Sequence, residues 1–454
     1  MTIWQPALDP TRPRYEALAE ALARDIAEGV LTPGDRLPTQ RDLADRLGVS
    51  LGTVTRAYTL AERRGLIRGE TGRGTFVGPP GPGLVDAAGE VPGLDVTWPL
   101  YDLDADLSRT LSDLASDPAS QGLLRYQPNA GCDDHRAAGA EWAARFGVEV
   151  PAGRVLVCSG TQHILNLTMA YFTRPGDAVF CEALTYPGFR AIARLLERRV
   201  VGISMDRYGL VPDAFEAACR ARRAKLLYTV PAIHNPTTAT LSEKRRREIA
   251  AIAERYGVMI VEDAVHHLLA DNAPPPIATF APDHTCFVAG MSKVVAGGLR
   301  TAFLVAPEVH IPALGEAIWA TAWMSAPLCA EVASRWVRDG TADATVKRKK
   351  TEAEARLELV RDKLRNHRLS YQRGGYHVWL TLPEEHRASE VASEARRRGC
   401  AVTPADAFAA GPEAPPNSIR ISLSGPRTRV ALADAIDRLL MLLAEPPGPC
   451  TPIV

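Results

Sequence analysis

Beyond Tyr101 the chain repeats one pattern: short apolar runs of strand length, separated by amphipathic helical stretches such as Leu241–Tyr256. The runs are Val155–Cys158, Ala178–Glu182, Leu226–Val230, Val258–Glu262, Thr285–Ala289 and Thr301–Val305. Strands alternating with helices predict an α/β domain built on a doubly wound, mainly parallel sheet. Ligands in such sheets gather at the carboxyl ends of the strands, and the polar motifs of this chain fall there. SGTQ (Ser159–Gln162) follows RVLVC and opens a helix, where free N–H groups and a positive dipole end suit phosphate. Tyr186 follows a strand in EALTYPGF, where an aromatic ring can stack on a flat ligand. Asn235 sits in the turn of VPAIHNPTT, and Asp263 closes VMIVED. A carboxylate at a strand end can hold a pyridinium proton.

One lysine stands apart. The chain has seven lysines against 46 arginines, and most of the lysines lie in charged runs such as EKRRR and VKRKK that read as solvated helix faces. Lys293 instead follows an apolar run in CFVAGMSKVVAGGLRTAF. An amine that loses its proton in an apolar site can form a Schiff base, which a guanidinium cannot. Ser292 beside it and Arg300 seven residues on suit a phosphate dianion.

The first 78 residues have a different grammar. Leu18, Leu22 and Ile26 mark one helix face; Thr39 and Ser50 stand at N-cap positions of two further helices, the first with Leu43, Ala44 and Leu47 inward and the second with Val54, Ala57, Tyr58 and Ala61. Leu66–Val77 alternates around glycines like a β-hairpin. Two helices across a tight turn, followed by such a hairpin, predict a winged helix-turn-helix over residues 12–78. The stretch after it, GPPGPGLVDAAGEVPGLDV, is rich in glycine and proline, so residues 79–100 read as a flexible tether to a large domain spanning 101–454.

The motif LPTQRDLADRLGVSLGTVTRAY with the tail GRGTFV resembles the GntR family of bacterial repressors. The resemblance implies that Arg41 and Ser50 touch DNA, with Thr53 nearby and Gly72 in the wing. Arg56 and Arg73 are expected at phosphates on charge grounds. Leu51 and Gly52 replace the arginine and polar residue that the family often places next. In the large domain the ordered set SGTQ, TYPG, HNP, VED, SK and a late arginine resembles the fold-type I pyridoxal phosphate aminotransferases, which implies a smaller C-terminal α+β subdomain. It also implies that Lys293 is the Schiff-base lysine, Asp263 the ring-nitrogen partner, Asn235 the donor to the ring oxygen and Tyr186 the stacking ring. Gly160, Thr161, Gln162, Ser292 and Arg300 become the phosphate cup, and Arg420, in NSIRISLSG, the grip on an effector carboxylate. Tyr126 resembles the tyrosine that reaches the phosphate of a partner subunit, implying a homodimer.

Two positions depart from that pattern. Gly290 stands where the lysine motif often has its first serine. His266 replaces the usual tyrosine beside the ring oxygen; a neutral imidazole can still donate a hydrogen bond there, with a charge expected to change near neutral pH. These changes point away from efficient transamination. A GntR-type winged helix joined to an aminotransferase-like domain resembles the MocR family of regulators. The expected function is a pyridoxal phosphate-dependent regulator that binds a double-stranded DNA operator and senses an amine or amino-acid effector, or the cofactor itself. An active aminotransferase with an appended helix-turn-helix is the alternative.

Composition adds limits. Formal net charge is zero, so DNA contact has to come from a local patch. No apolar run reaches the ~18–20 residues of a membrane span. The eight cysteines are scattered without metal spacing. The expectation is a cytoplasmic, reduced protein with no metal and no membrane.

Overall fold

The computed structural model describes Trp4, Pro6 and residues 13–27, 30–31, 35–63, 66–70, 74–77, 93–411 and 414–445. The chain divides into two compact units, Met1–Glu90 and Val91–Val454.

In the first unit, helices Arg14–Ala27, Gln40–Leu47 and Leu51–Arg63 precede an antiparallel pair, Ile67–Glu70 with Gly74–Val77. The apolar stripe of each helix meets in one core: Leu18, Leu22, Leu43, Val54, Ala57 and Tyr58 are buried, together with Ile67 and Val77 of the hairpin. Both expected caps form. Thr39 Oγ1 accepts the N–H of Asp42 at 3.2 Å, and Ser50 Oγ accepts that of Thr53 at 3.2 Å. Gly48 ends the second helix at φ 60°, a left-handed turn that glycine takes without penalty. The Tyr58 hydroxyl donates to the Pro38 carbonyl at 3.0 Å and pins the third helix to the turn before the second. Gly72 and Arg73 lie outside the described residues.

In the second unit a seven-stranded sheet runs in the order Val155–Cys158, Ala302–Val305, Thr285–Gly290, Met259–Asp263, Ala224–Thr229, Ala178–Glu182, Arg199–Ile203. Only Ala302–Val305 runs against its neighbours. Helices cover both faces: Leu156, Val179, Val261 and Val288 pack to one side, Val155, Val157, Phe287 and Phe303 to the other. Burial on both faces is why these strands read as continuous apolar runs rather than alternating ones. The edge strand Arg199–Ile203 escapes that signature because its first residues are exposed or half-buried.

The C-terminal part holds a four-stranded antiparallel sheet, ordered Arg368–Ser370, His377–Thr381, Ser418–Ser422, Thr403–Pro404. Helices Thr341–Lys363, Ala388–Arg397 and Arg429–Ala444 close a separate core with it, around Leu357, Val378, Ile421 and Leu439. This is the smaller α+β layer. Seven cysteines are described, all as free thiols. Among the described residues no helix is long and apolar enough to cross a membrane.

Part of the stretch expected as a tether over 79–100 is packed. Residues 79–92 lie outside the described residues, but Gly93 onward is fastened to the second unit. Leu94 is fully buried in the C-terminal core, its carbonyl accepts from Ser422 N–H at 2.7 Å, and Asp95 pairs with Arg396 at 3.0 Å. Burying one leucine contributes about 1.5–3 kcal/mol, which holds the strap even though it has no regular secondary structure.

Candidate functional site

The carboxyl ends of the parallel strands and the small C-terminal sheet enclose a cavity of about 700 Å³. It is lined by Thr161, Gln162, Tyr186, Asn235, Asp263, His266, Ser292, Lys293, Arg300 and Arg420, so residues from 161 to 420 meet at one place. Gly160 borders it through Arg300, and Tyr126 does not join it.

The phosphate end is built by close approach. Helix Thr161–Phe172 begins at Gly160, which has φ 90° and no side-chain cap. A Cβ on Gly160 would stand 2.6 Å from Arg300 Nη2, so only glycine lets the guanidinium lie against the helix start. Two positive ends, a helix N-terminus and an arginine, face the same space. Gly290 is explained the same way: a Cβ there would stand 2.8 Å from Thr161 Oγ1. The Thr161 hydroxyl fills the place of the missing serine.

Asp263, the last residue of its strand, is buried; its Oδ2 accepts from the Tyr228 hydroxyl at 3.0 Å and its Oδ1 from Val265 N–H at 3.1 Å. Burial pushes its carboxyl up to about 6, against those two bonds and the nearby Lys293. Lys293 is half-buried, its Nζ donates to the Thr97 carbonyl, and its own carbonyl accepts from the Tyr376 hydroxyl at 3.2 Å. Burial, with the charges of Arg420 and Lys349, lowers its amine to about 8. Tyr186 caps the helix Pro187–Leu195, and its hydroxyl reaches Gln162 Oε1 at 3.5 Å. Arg420 is buried over the face of Phe408, 4.9 Å from the ring centre. Its Nη1 donates to Asn235 Oδ1 at 2.8 Å, its Nη2 to the Asp95 carbonyl, and its Nε has no partner.

His266 corrects an expectation. Its Nδ1 lies 3.1 Å from the Ile233 carbonyl, which can only accept, so the proton sits on Nδ1 and Nε2 is a bare, buried lone pair. Burial, helped by Lys293 and Arg420, lowers the ring to about 4. Its free ring nitrogen is therefore a buried acceptor, not a donor, and its charge does not change near neutral pH.

Two groups escaped the sequence. Lys349, in the run read as solvated, is fully buried; its Nζ donates to Asp104 and to the Val295 carbonyl at 2.9 Å, behind the Lys293 turn. The signal was spacing: Thr345, Lys349, Ala353 and Arg356 form the inward stripe of their helix. The strap Asp95–Trp98 also lines the cavity, and two of its carbonyls occupy Arg420 and Lys293.

In the first unit Arg41, Ser50 and Arg56 are exposed, Thr53 is half-buried, and the Ser50 and Thr53 hydroxyls lie 2.9 Å apart at the head of helix Leu51–Arg63. Tyr126 is 81% exposed and rests near Trp323, ring centres 5.4 Å apart.

Residues 100–439 match the family model described as aminotransferase class I and II, and residues 14–77 that of bacterial regulatory proteins, gntR family. The chain is 30% identical over 460 residues to the HTH-type transcriptional regulator YdeF of Bacillus subtilis, covering 97% of each chain. It is 29% identical over 322 residues to the HTH-type pyridoxine biosynthesis transcriptional regulator PdxR of Corynebacterium glutamicum, covering 66% of this chain and 68% of that one. Among solved structures, Pyrococcus horikoshii kynurenine aminotransferase superposes with a TM-score of 0.71 at 22% identity, over 78% of this chain and 91% of that one.

Proposed function

The chain belongs to the aminotransferase class I and II family, carries a gntR-family domain, and is a MocR-type transcriptional regulator; from that premise we propose that it binds an operator through the winged helix and reads an amine-bearing effector in the cavity around Lys293. The observation that carries this reading is the convergence of Lys293, Asp263, Arg300 and Arg420 on one cavity.

Pyridoxal phosphate fits the donor set. The helix start at Thr161, Ser292 and Arg300 suit its phosphate, Asp263 its ring nitrogen, Tyr186 its flat face, and Lys293 its aldehyde. When bound, that cofactor supplies a carbonyl carbon that takes amines covalently and a ring that draws electrons from them. The protein's part would be to lower the Lys293 amine to about 8, to hold a carboxylate at the ring nitrogen, and to offer a buried arginine to an acid group. Arg420 supports an effector that carries a carboxylate as well as an amine, since its fork suits two oxygens. The name of the Corynebacterium relative keeps a vitamin B6 species open as the effector.

The strap suggests how occupancy reaches the DNA-binding unit. Asp95 and Thr97 hold the two cationic groups that a carboxylate and an aldehyde would claim. A ligand taking both would release the segment that continues directly into the connecting chain. An effector changes the regulator only through such a difference between states.

We also read the protein as a homodimer. Tyr126, Trp319 and Trp323 form a chain of exposed aromatic rings, and Leu124 is 81% exposed. A second copy covering them would take these rings out of water, and the resemblance to the aminotransferases implies that Tyr126 then serves the partner's phosphate site. A reduced, cytoplasmic setting suits a DNA-binding protein whose described cysteines are free.

The test is to load the protein with pyridoxal phosphate, reduce with borohydride, and map the adduct by mass spectrometry. An adduct on the Lys293 peptide is expected, and an unlabelled peptide would defeat the cofactor reading. DNA binding by Lys293→Ala should no longer respond to cofactor and amine. Sustained keto-acid production over many cycles would favour the enzyme instead.

A further inference from the structure

A second cavity, of about 580 Å³, lies where the strand Arg199–Ile203 and the turn after it meet the four-stranded C-terminal sheet. It shares no lining residue with the cavity around Lys293, and its size suits a small molecule. In the small sheet Val378 and Leu380 turn into the C-terminal core, so Trp379 and Thr381 turn the other way. Arg368, Thr381 and Ser418 stand opposite one another across three strands, and Ser370, Trp379 and Arg420 form the next row. Residues directly opposite share a face. Where two layers pack, the facing side chains are expected to be apolar. This face carries arginines, hydroxyls and an indole N–H instead.

Its polar groups are left over. Trp379 is 6% exposed, and among the described residues its Nε1 has no hydrogen-bond partner. That nitrogen is not sealed in the interior as the one of Trp142 is, so it opens on the cavity that Trp379 lines. A buried indole N–H ordinarily finds an acceptor. Arg207 and Arg368 line the same cavity, and neither pairs with a carboxylate among the described residues. Asp206, the one acid among the described lining residues, is spent on Arg245 through bonds of 2.7 and 2.5 Å. The cavity therefore holds donors and positive charge in surplus. Leu184, Met205, Pro415 and the Trp379 ring add apolar wall. Such a set fits a molecule with an acid at one end and a flat apolar body.

We propose that this cavity is a second ligand site, which takes a small aromatic acid. The Trp379 N–H and the Arg368 guanidinium receive the carboxylate; Arg368 lies diagonally across the strand pair from Trp379, within reach for a long side chain. The ring of the ligand packs on Met205 and Pro415. Phe408 stands between the two sites: it borders the Lys293 cavity, its ring lies 6.4 Å from that of Trp379, and Arg420 rests over its face. An occupant of the second cavity therefore adjoins the support of the arginine that faces an effector in the first.

The test uses the full chain labelled with fluorotryptophan, phenylacetate as the probe, and fluorine NMR. Each cavity has its own tryptophan: Trp379 lines this one and Trp98 the one around Lys293. Their signals are assigned by their loss in Trp379→Phe and Trp98→Phe. Phenylacetate should move the Trp379 signal to saturation and leave that of Trp98 in place. Movement of Trp98 alone, or of neither up to about 1 mM probe, overturns the proposal. If both move, Arg368→Ala decides. Arg368 is exposed, so the variant keeps the fold; it should bind phenylacetate about threefold more weakly, an effect that fades with added salt, and unchanged affinity overturns the proposal. Trp379→Phe keeps a ring and removes the N–H, and calorimetry should show about tenfold weaker binding of the same probe; unchanged affinity again overturns it. Inorganic phosphate should leave the Trp379 signal in place, and tighter binding of phosphate than of phenylacetate overturns the ligand class. None of these measurements involves the cofactor, so their outcome is independent of the pyridoxal phosphate reading.

Discussion

Arg420 donates to Asn235 Oδ1 at 2.8 Å, so the arginine expected to grip an acid group and the asparagine beside the ring form one unit. Asn235→Ala should therefore weaken the response to carboxylate-bearing amines as well as cofactor binding. A lost charge-assisted bond is worth about 1.5–3 kcal/mol, or roughly 10- to 100-fold in effector concentration. Arg420→Ala should cost at least as much for effectors with a carboxylate and little for amines without one. The two variants combined should lose less than the sum, because they remove the same contact. Titration of the DNA-bound fraction with an amine panel measures all three.

Gly290 and Thr161 should behave as an exchangeable pair. Gly290→Ser places a Cβ 2.8 Å from Thr161 Oγ1, an overpacking that costs about 1–3 kcal/mol. Cofactor affinity should drop accordingly. Thr161→Ala in the same chain should restore part of it by clearing the space, which a calorimetric titration of apoprotein with pyridoxal phosphate would detect. Equal affinity in the single and double variants would show that the two positions do not share that space.

The rate of cofactor attachment should follow the Lys293 amine. Attack on an aldehyde needs the neutral form, and burial has lowered this group from 10.5 to about 8. Below that value the rate should rise about tenfold per pH unit; above it the rate should level off. Asp263 adds an acid limit. Its carboxyl, raised to about 6, must be ionised to hold a ring proton, so affinity should fall as pH drops through that value. Stopped-flow absorbance across pH 5–10 reads both limbs, and a rate still climbing at pH ~10 would mean that the amine is not shifted.

Loading the cofactor should loosen the strap. Thr97's carbonyl is held by Lys293 Nζ, and a covalently engaged lysine loses that ammonium. Hydrogen exchange in peptides covering Leu94–Trp98 should speed up on loading and speed up further with an acid-bearing effector that claims Arg420. Exchange that slows or stays constant would remove the strap as the link between cavity and connecting chain.

These residues differ in how visible they were beforehand. Asp263 and Lys293 were legible because a polar residue ending a fully apolar run has few structural uses in a doubly buried strand. The strap was not, since Asp95 and Thr97 act on Arg420 and Lys293 through backbone carbonyls, and a carbonyl leaves no mark in the residue type. Lys349 was hidden by its charged neighbours; only its place on the buried stripe betrayed it, and Asp104 with the Val295 carbonyl make that burial tolerable. For His266 the residue was visible but its tautomer was not, because that is set by Ile233, far away in sequence.

Leu51 should alter what the operator looks like. It is 45% exposed at the head of helix Leu51–Arg63, beside Gly52, where a docked recognition helix meets base edges. An arginine there would favour guanine through two hydrogen bonds, whereas a leucine offers only an apolar contact, which suits the methyl group of thymine. Sites selected from random duplexes should therefore carry thymine at that position, and replacing that thymine with uracil, which lacks the methyl, should weaken binding. Leu51→Arg should move the preference toward guanine by about 1–3 kcal/mol per base pair. Arg41→Ala and Arg56→Ala should instead weaken all sequences alike, with Arg56→Ala reducing the salt slope by about one if it meets a phosphate. Mobility-shift titrations at several salt concentrations distinguish these outcomes, and an unchanged base preference in Leu51→Arg would place the reading head elsewhere on the helix.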